Sequence, residues 1–130
     1  LRYLLEQSEL PFSWSVEGTA DPDEQASVIL YRIAQEAVTN AARHAGASLI
    51  RIRLHGDAAH LTLAVEDDGA GIPEDVLPHG EGLGLRTMRY RADLIGATLS
   101  VGRRAEAGTV VTCTLRRESL RESIQPRGDL

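Results

Sequence analysis

Three stretches of this chain carry side chains and turns whose spacing could do chemistry. Glu36, Asn40, Arg43 and His44 sit at helical intervals. Asp67-Asp68-Gly69-Ala70-Gly71-Ile72 and Gly80-Glu81-Gly82-Leu83-Gly84-Leu85 are glycine turns flanking a short connecting segment. Asn40 offers a neutral oxygen to Mg²⁺, a cation that prefers oxygen ligands and keeps waters and phosphate oxygens. Arg43 can meet a phosphate with two donors. Glu36 could orient or deprotonate a nucleophile, or hold a metal-bound water. His44 by itself reads as a packed or surface histidine. A carboxylate ending a buried strand accepts from the exocyclic amine of adenine and rejects guanine, which has a carbonyl there. Gly69 and Gly71 let backbone approach the base because no Cβ intervenes. Gly80, Gly82 and Gly84 lead into a helix start, where free N–H groups can face an anion. Together the pieces describe a pocket for Mg-ATP built without the lysine of a P-loop.

Each piece alone has a plainer reading. The helix is then an ordinary amphipathic one, the first turn an acidic loop, and the second a flexible loop with a helix cap. A calcium loop is excluded at the first turn because the carboxylates lack its alternating spacing and terminal glutamate. A dinucleotide fingerprint is excluded because Pro73 follows and no helix opens.

These groups need elements to position them. Leu1, Leu4 and Leu5 have helical spacing, and residues 1–10 read as the end of a linker helix from an N-terminal region outside this sequence. Phe12–Val16 alternates with period two and reads as a strand. Asp21-Pro22-Asp23 opens a long helix, with Asp21 as N-cap and Pro22 in the first turn, running to about Ala45 and stopping at Gly46. On it Leu30, Ile33, Ala34, Ala37 and Ala41 form a core stripe, and Glu36, Asn40 and Arg43 lie in a narrow arc beside it. Ile50, Ile52 and Leu54, then Leu61, Leu63 and Val65, mark two strands joined by a hairpin turn. Alternation puts Asp67 on the Leu61–Val65 face and Asp68 on the other, but the turn leaves open which faces a pocket. Leu83–Ile95 reads as a helix closed by Gly96, with Arg86 and Arg89 adding charge in its first turns. Leu99 and Val101 mark another strand, and Thr109, Val111, Cys113 and Leu115 one face of the last. The fold class expected is α+β: a two-layer sandwich, its mixed and mainly antiparallel sheet covered on one face by helices. Residues 11–117 form the domain and 118–130 a frayed tail.

Composition narrows the function classes. The chain has 130 residues, enough for one domain with a real core. Its net charge of −5 argues against a nucleic-acid partner. All 14 residues counted as Lys+Arg are arginine, which rules out chemistry that needs a lysine. Cys113 is the only cysteine, so no disulfide forms within one chain and a reducing compartment fits. No apolar run approaches the roughly 20 residues that span a bilayer, so no direct membrane contact is expected of this domain.

The residues resemble a known family. Glu36-Ala37-Val38-Thr39-Asn40-Ala41-Ala42-Arg43-His44-Ala45 is similar to the N box of the ATP-binding catalytic domain of bacterial sensor histidine kinases. These belong to the gyrase–chaperone–histidine kinase–MutL superfamily with the Bergerat fold. Asp68-Gly69-Ala70-Gly71 resembles its G1 box, Gly82-Leu83-Gly84-Leu85 its G2 box, and Gly108-Thr109 its terminal Gly-Thr element. The Arg43-His44 pair, the short lid and Met88-Arg89-Tyr90-Arg91-Ala92 resemble the nitrate-sensor-type subfamily. The resemblance spans roughly residues 12–116. It implies that Asn40 holds Mg²⁺, with Glu36 a second candidate, and that both serve catalysis. It puts adenine reading at Asp68, taken as the aspartate of an Asp-x-Gly-x-Gly pattern. Gly82 and Gly84 would hug the phosphates and Thr109 would face the adenine. Arg43, His44, Gly69, Gly71, Ile72, Gly80, Leu83 and Leu85 complete the expected nucleotide site. The implied partners are a dimerisation and phosphoacceptor domain of the same protein and a response regulator. The fragment would be monomeric, and would bind ATP without autophosphorylating. The full protein would be a homodimer, cytoplasmic in this part and compatible with a membrane anchor elsewhere. An anti-sigma-factor serine kinase or another ATPase of the superfamily is the alternative.

Overall fold

The structure, a computed structural model, describes residues 12–18, 22–43, 46–71, 84–104 and 107–116. In chain order the elements are β1 (Phe12–Gly18), α1 (Glu24–Arg43), β2 (Ile50–Gly56), β3 (His60–Asp67), α2 (Leu85–Leu94), β4 (Thr98–Arg103) and β5 (Thr109–Arg116). The expected linker helix in residues 1–10, the lid and the tail 118–130 fall outside the described residues.

Helix α1 begins where its cap allows. Asp23, not Asp21, is the N-cap: its Oδ1 accepts the Ala26 N–H at 2.7 Å and its carbonyl accepts from Ser27 at 2.8 Å. A capping oxygen serves the N–H two or three residues on, so a helix starting at Glu24 selects Asp23. Pro22 then precedes the cap. The stripe expected on α1 is buried: Ile33, Ala34 and Ala41 are fully covered, and Leu30 and Ala37 nearly so. Helix α2 ends at Leu94, one residue before the expected Ile95, and Gly96 closes it as expected. Gly96 has φ of 66°, its N–H bonds the Asp93 carbonyl, and the Ala97 N–H bonds the Ala92 carbonyl. That pair of bonds terminates a helix by satisfying its last carbonyls.

The five strands form one sheet in the order β1-β2-β3-β5-β4. Three of the four pairings are antiparallel; β1 runs parallel to β2. The mixed, mainly antiparallel sandwich is therefore the fold. One β1–α1–β2 crossover stands inside it, because a parallel neighbour needs a long connection and α1 supplies it. Alternation divides the faces. Ile50, Ile52, Leu61, Leu63, Val65, Val111, Cys113 and Leu115 point inward with Leu85 and Met88 of α2. The opposite face is polar, and Glu66 there meets Arg53 at 2.9 Å and Arg51 at 3.7 Å. Such exposed pairs add little stability; burial of the inner face holds the layers together.

Candidate functional site

The inner face of β3 does not end with its last aliphatic residue. Leu61, Leu63 and Val65 are followed at the same period by Asp67, which is only 7% exposed. Its neighbours are Ile50 on β2 and Thr109 on β5, and Thr109 is itself buried. The Asp67 carboxylate accepts the Gly69 N–H at 2.8 Å and a second bond from the Thr109 N–H. Burial pushes its pKa up, those two amides pull it down, and the Asp68 charge pushes it up again. A carboxylate so placed has two backbone donors and spare acceptor capacity. A carboxylate ending a buried strand is what base reading calls for.

Asp68 is engaged elsewhere, which argues against the expectation that it reads adenine. Its Oδ1 accepts from the Ser48 N–H at 2.8 Å and the Leu49 N–H at 2.9 Å, and its Oδ2 accepts from Ser48 Oγ at 2.6 Å. The Asp68 N–H returns to the Leu49 carbonyl at 3.4 Å. These donors, the Ser48 hydroxyl first, lower its pKa to about 2. Asp68 thus clamps the end of β3 to the segment that follows α1, and its acceptors are engaged. The motif agrees once counted back from Gly69 and Gly71: in Asp-x-Gly-x-Gly the aspartate is Asp67.

Helix α1 supplies the second wall. Glu36 and Asn40 are half-buried one turn apart beside the core stripe, at the boundary expected of them. Arg43 closes the helix; its side chain and His44 lie outside the described residues, so their expected roles remain proposals. Glu36 packs against Gly84, the residue that opens α2. Gly84 has φ of 74°, and a Cβ there would run into the Glu36 side chain. The first and third sequence motifs therefore meet across α1 and the start of α2. Leu85 follows with its side chain fully buried, which anchors the helix start in the core. Ile72, Gly80, Gly82 and Leu83 lie outside the described residues.

The other side of the first turn is closed by the β4–β5 connection. A Cβ on Gly71 would lie 3.2 Å from the Gly108 carbonyl oxygen, and one on Gly108 would run into the Asp67 carbonyl. Gly108 has φ of 107°, so the close approach and the backbone conformation both require glycine there. Arg104 Nη1 donates to the Asp67 carbonyl at 3.2 Å. The charge expected of Arg89 at the second turn is directed elsewhere: its Nη1 donates to the Leu99 carbonyl of β4 at 3.2 Å. Arg86 is exposed in the first turn of α2. Ser48 and Arg104 are the residues that sequence reasoning missed. Neither belongs to a periodic element or a motif, so only proximity in the fold reveals them.

Comparison with known proteins gives the family and the fold. Residues 25–119 match the family described as histidine kinase-, DNA gyrase B-, and HSP90-like ATPase. The chain is 34% identical over 122 residues to the signal transduction histidine-protein kinase/phosphatase UhpB of Salmonella typhimurium, covering 88% of this chain and 23% of that protein. It is 32% identical over 90 residues to the oxygen sensor histidine kinase NreB of Staphylococcus carnosus, covering 69% of this chain and 26% of that one. The chain thus spans about a quarter of the length of these relatives. Among solved structures, the ATP binding domain of PrrB from Mycobacterium tuberculosis superposes with a TM-score of 0.70 at 22% identity, over 88% of this chain and 85% of that one. That likeness is one of fold, and it extends over nearly the whole of both domains. The chain belongs to the histidine kinase-, DNA gyrase B-, and HSP90-like ATPase family, as an ATP-binding domain related to those of sensor histidine kinases.

Proposed function

We propose that this chain is the catalytic module of a sensor histidine kinase, donating the γ-phosphoryl group of ATP to a histidine on a dimerisation domain outside this sequence. The phosphoryl group then passes to a response regulator. Asp67 is assigned as the residue that reads the exocyclic amine of adenine, with Thr109 beside it. The observation that carries this is a buried carboxylate at the end of β3, flanked by glycines and facing the helix layer. Gly69 and Gly71 lie along the base, and residues 80–85 supply peptide amides to the phosphates. Arg43 and His44 contribute from the end of α1.

The oxygen donors of Asn40 and Glu36 fit Mg²⁺, which takes one or two protein ligands and fills the rest of its shell with water and phosphate oxygens. The ion, when bound, neutralises charge on the phosphates. Glu36 and Asn40 would hold it and fix the phosphate end of the nucleotide, while Asp67 fixes the base. Phosphoryl transfer depends mainly on positioning and charge stabilisation, which suits a domain that presents ATP to a separate acceptor. Residues 11–117 form this module, working in the cytoplasm within a homodimer. Among the described residues no helix is long and apolar enough to cross a membrane.

Calorimetry with MgATP and MgGTP tests the assignment. The parent chain should bind MgATP and take MgGTP poorly. Asp67→Asn should weaken MgATP by about ten- to a hundredfold and erode discrimination, since losing a buried charged hydrogen-bond partner costs about 1.5–3 kcal/mol. Equal MgATP affinity and equal discrimination in the two proteins would remove Asp67 from the site.

A further inference from the structure

The β4–β5 connection holds the carbonyl side of Asp67 while the inner face of β3 holds its carboxylate. Two independent contacts make that hold. Gly108 lies against the Asp67 carbonyl so closely that no side chain fits, and Arg104 Nη1 donates to the same carbonyl oxygen at 3.2 Å. Arg104 is itself fixed by its own N–H, which bonds the Gly108 carbonyl at 3.0 Å. The guanidinium, the turn glycine and the strand end therefore form one closed unit. On the far side, Asp68 is clamped to Ser48 and Leu49. The strand end is gripped from both neighbouring connections, and Arg104 is the cationic member of the grip.

We propose that Arg104 is a positioning residue for base recognition, holding the end of β3 so that the Asp67 carboxylate is aimed at the exocyclic amine of the purine. This rests on the reading of Asp67 given above. Arg104 acts through Asp67 and is not assigned to the base, the phosphates or the metal. The choice of arginine has two physical consequences. Its fork can bond a carbonyl while its own backbone stays in the turn. Its charge also favours the ionised form of the neighbouring carboxylate, opposing burial and the adjacent Asp68, both of which disfavour it. An aspartate that swung away would lose the amine, and a protonated one would offer it a weaker acceptor.

The test compares MgATP with the magnesium complex of purine riboside triphosphate, the same nucleotide without the 6-amino group. The ratio of their affinities reports the carboxylate–amine contact alone. In the parent chain the ratio should be about tenfold or more, as for a hydrogen bond to a charged group. Arg104→Gln should reduce the ratio about three- to tenfold, the scale of one modest hydrogen bond. Purine riboside triphosphate binding should change little. Arg104→Lys, which keeps charge and a donor, should restore most of the ratio. A merely structural role would weaken both nucleotides alike and leave the ratio at its parent value, and that result overturns the proposal. Asp67→Asn separates the two ideas. If its ratio stays at the parent value, the reading of Asp67 fails; if its ratio collapses while Arg104→Gln keeps the parent value, only the role of Arg104 fails. Arg104→Met replaces Arg104→Gln if the latter does not fold, and failure of both neutral variants to fold counts against the proposal, because Arg104 would then hold the fold itself.

Discussion

Two adjacent aspartates at the end of β3 have opposite fates because a strand sends successive side chains to opposite faces. Asp67 turns into the layer interface and carries the cost of burial. Asp68 turns outward into three donors. Their pKa shifts follow, raised for Asp67 and lowered to about 2 for Asp68. The consequences for acid stability differ in sign. A carboxyl whose folded pKa lies below its unfolded value stabilises the fold above the unfolded value and loses that contribution as pH falls through the folded one. For Asp68 the window runs from 3.8 down to about 2. Asp68→Asn should therefore melt below the parent at pH 6, and the gap should close across that window. Its preference for ATP over GTP should stay near the parent's, because the amide oxygen of the variant still accepts from the Ser48 and Leu49 N–H groups and keeps the strand end in place. A thermal melt series at several pH values, with binding at neutral pH, checks both. Asp67 has the reverse linkage: its ionised form is disfavoured in the fold, so at neutral pH it costs stability that the ordinary value would not.

At the scale of elements, the contact between α1 and α2 joins the proposed metal end of the site to its proposed phosphate end. Glu36 packs on Gly84 at the first residue before α2. Gly84→Ala puts a Cβ into a left-handed backbone conformation and into the Glu36 side chain. Strain of this type costs on the order of 1–3 kcal/mol. Gly84→Ala should lower the melting temperature by several degrees, about 4–8 °C per kcal/mol for a domain near this size. It should also weaken ATP binding more than it weakens adenosine binding, since the base end is built from β3 and β5. Parent-like melting and parent-like ATP affinity would show that the contact is relaxed in solution.

At the scale of the molecule, the proposed site draws on parts far apart in the chain. Glu36 and Asn40 come from α1, Asp67 from β3, Gly84 from the start of α2, and Thr109 from β5. A ligand that bridges such parts binds the folded form and not the unfolded chain. It then stabilises the fold by mass action, about 2.7 kcal/mol at a hundred times its dissociation constant. Saturating MgATP should raise the melting temperature of the parent chain by roughly ten degrees or more, and MgGTP at the same concentration should raise it much less. A thermal shift assay reads this directly, and an equal shift with both nucleotides would argue against base selection by this fold.

Local chemistry was enough for much of this molecule. Alternation in Ile50–Leu54, Leu61–Asp67 and Thr109–Leu115 predicted which side chains are buried, because a pleated strand leaves no choice of face once one face is covered. The apolar stripe on α1 placed Glu36 and Asn40 at the layer boundary, and Gly96 ended α2 where a left-handed residue was needed. Local patterns fell short where a partner lies far along the chain. The helix cap moved from Asp21 to Asp23 because capping depends on which N–H groups the helix leaves open. Local pattern does not choose between Asp67 and Asp68, because both are acids just ahead of the same glycines, and only the approach of Ser48 and Leu49 occupies one of them. Arg104 and Arg89 reach carbonyls 37 and 10 residues away, which no local spacing encodes. The sequence by itself determined the elements, their buried faces and the family, since these follow from periodicity and short motifs. Tertiary structure decided which acid faces inward with capacity to spare and which arginine holds it, because hydrogen-bond partners are assigned by distance in space.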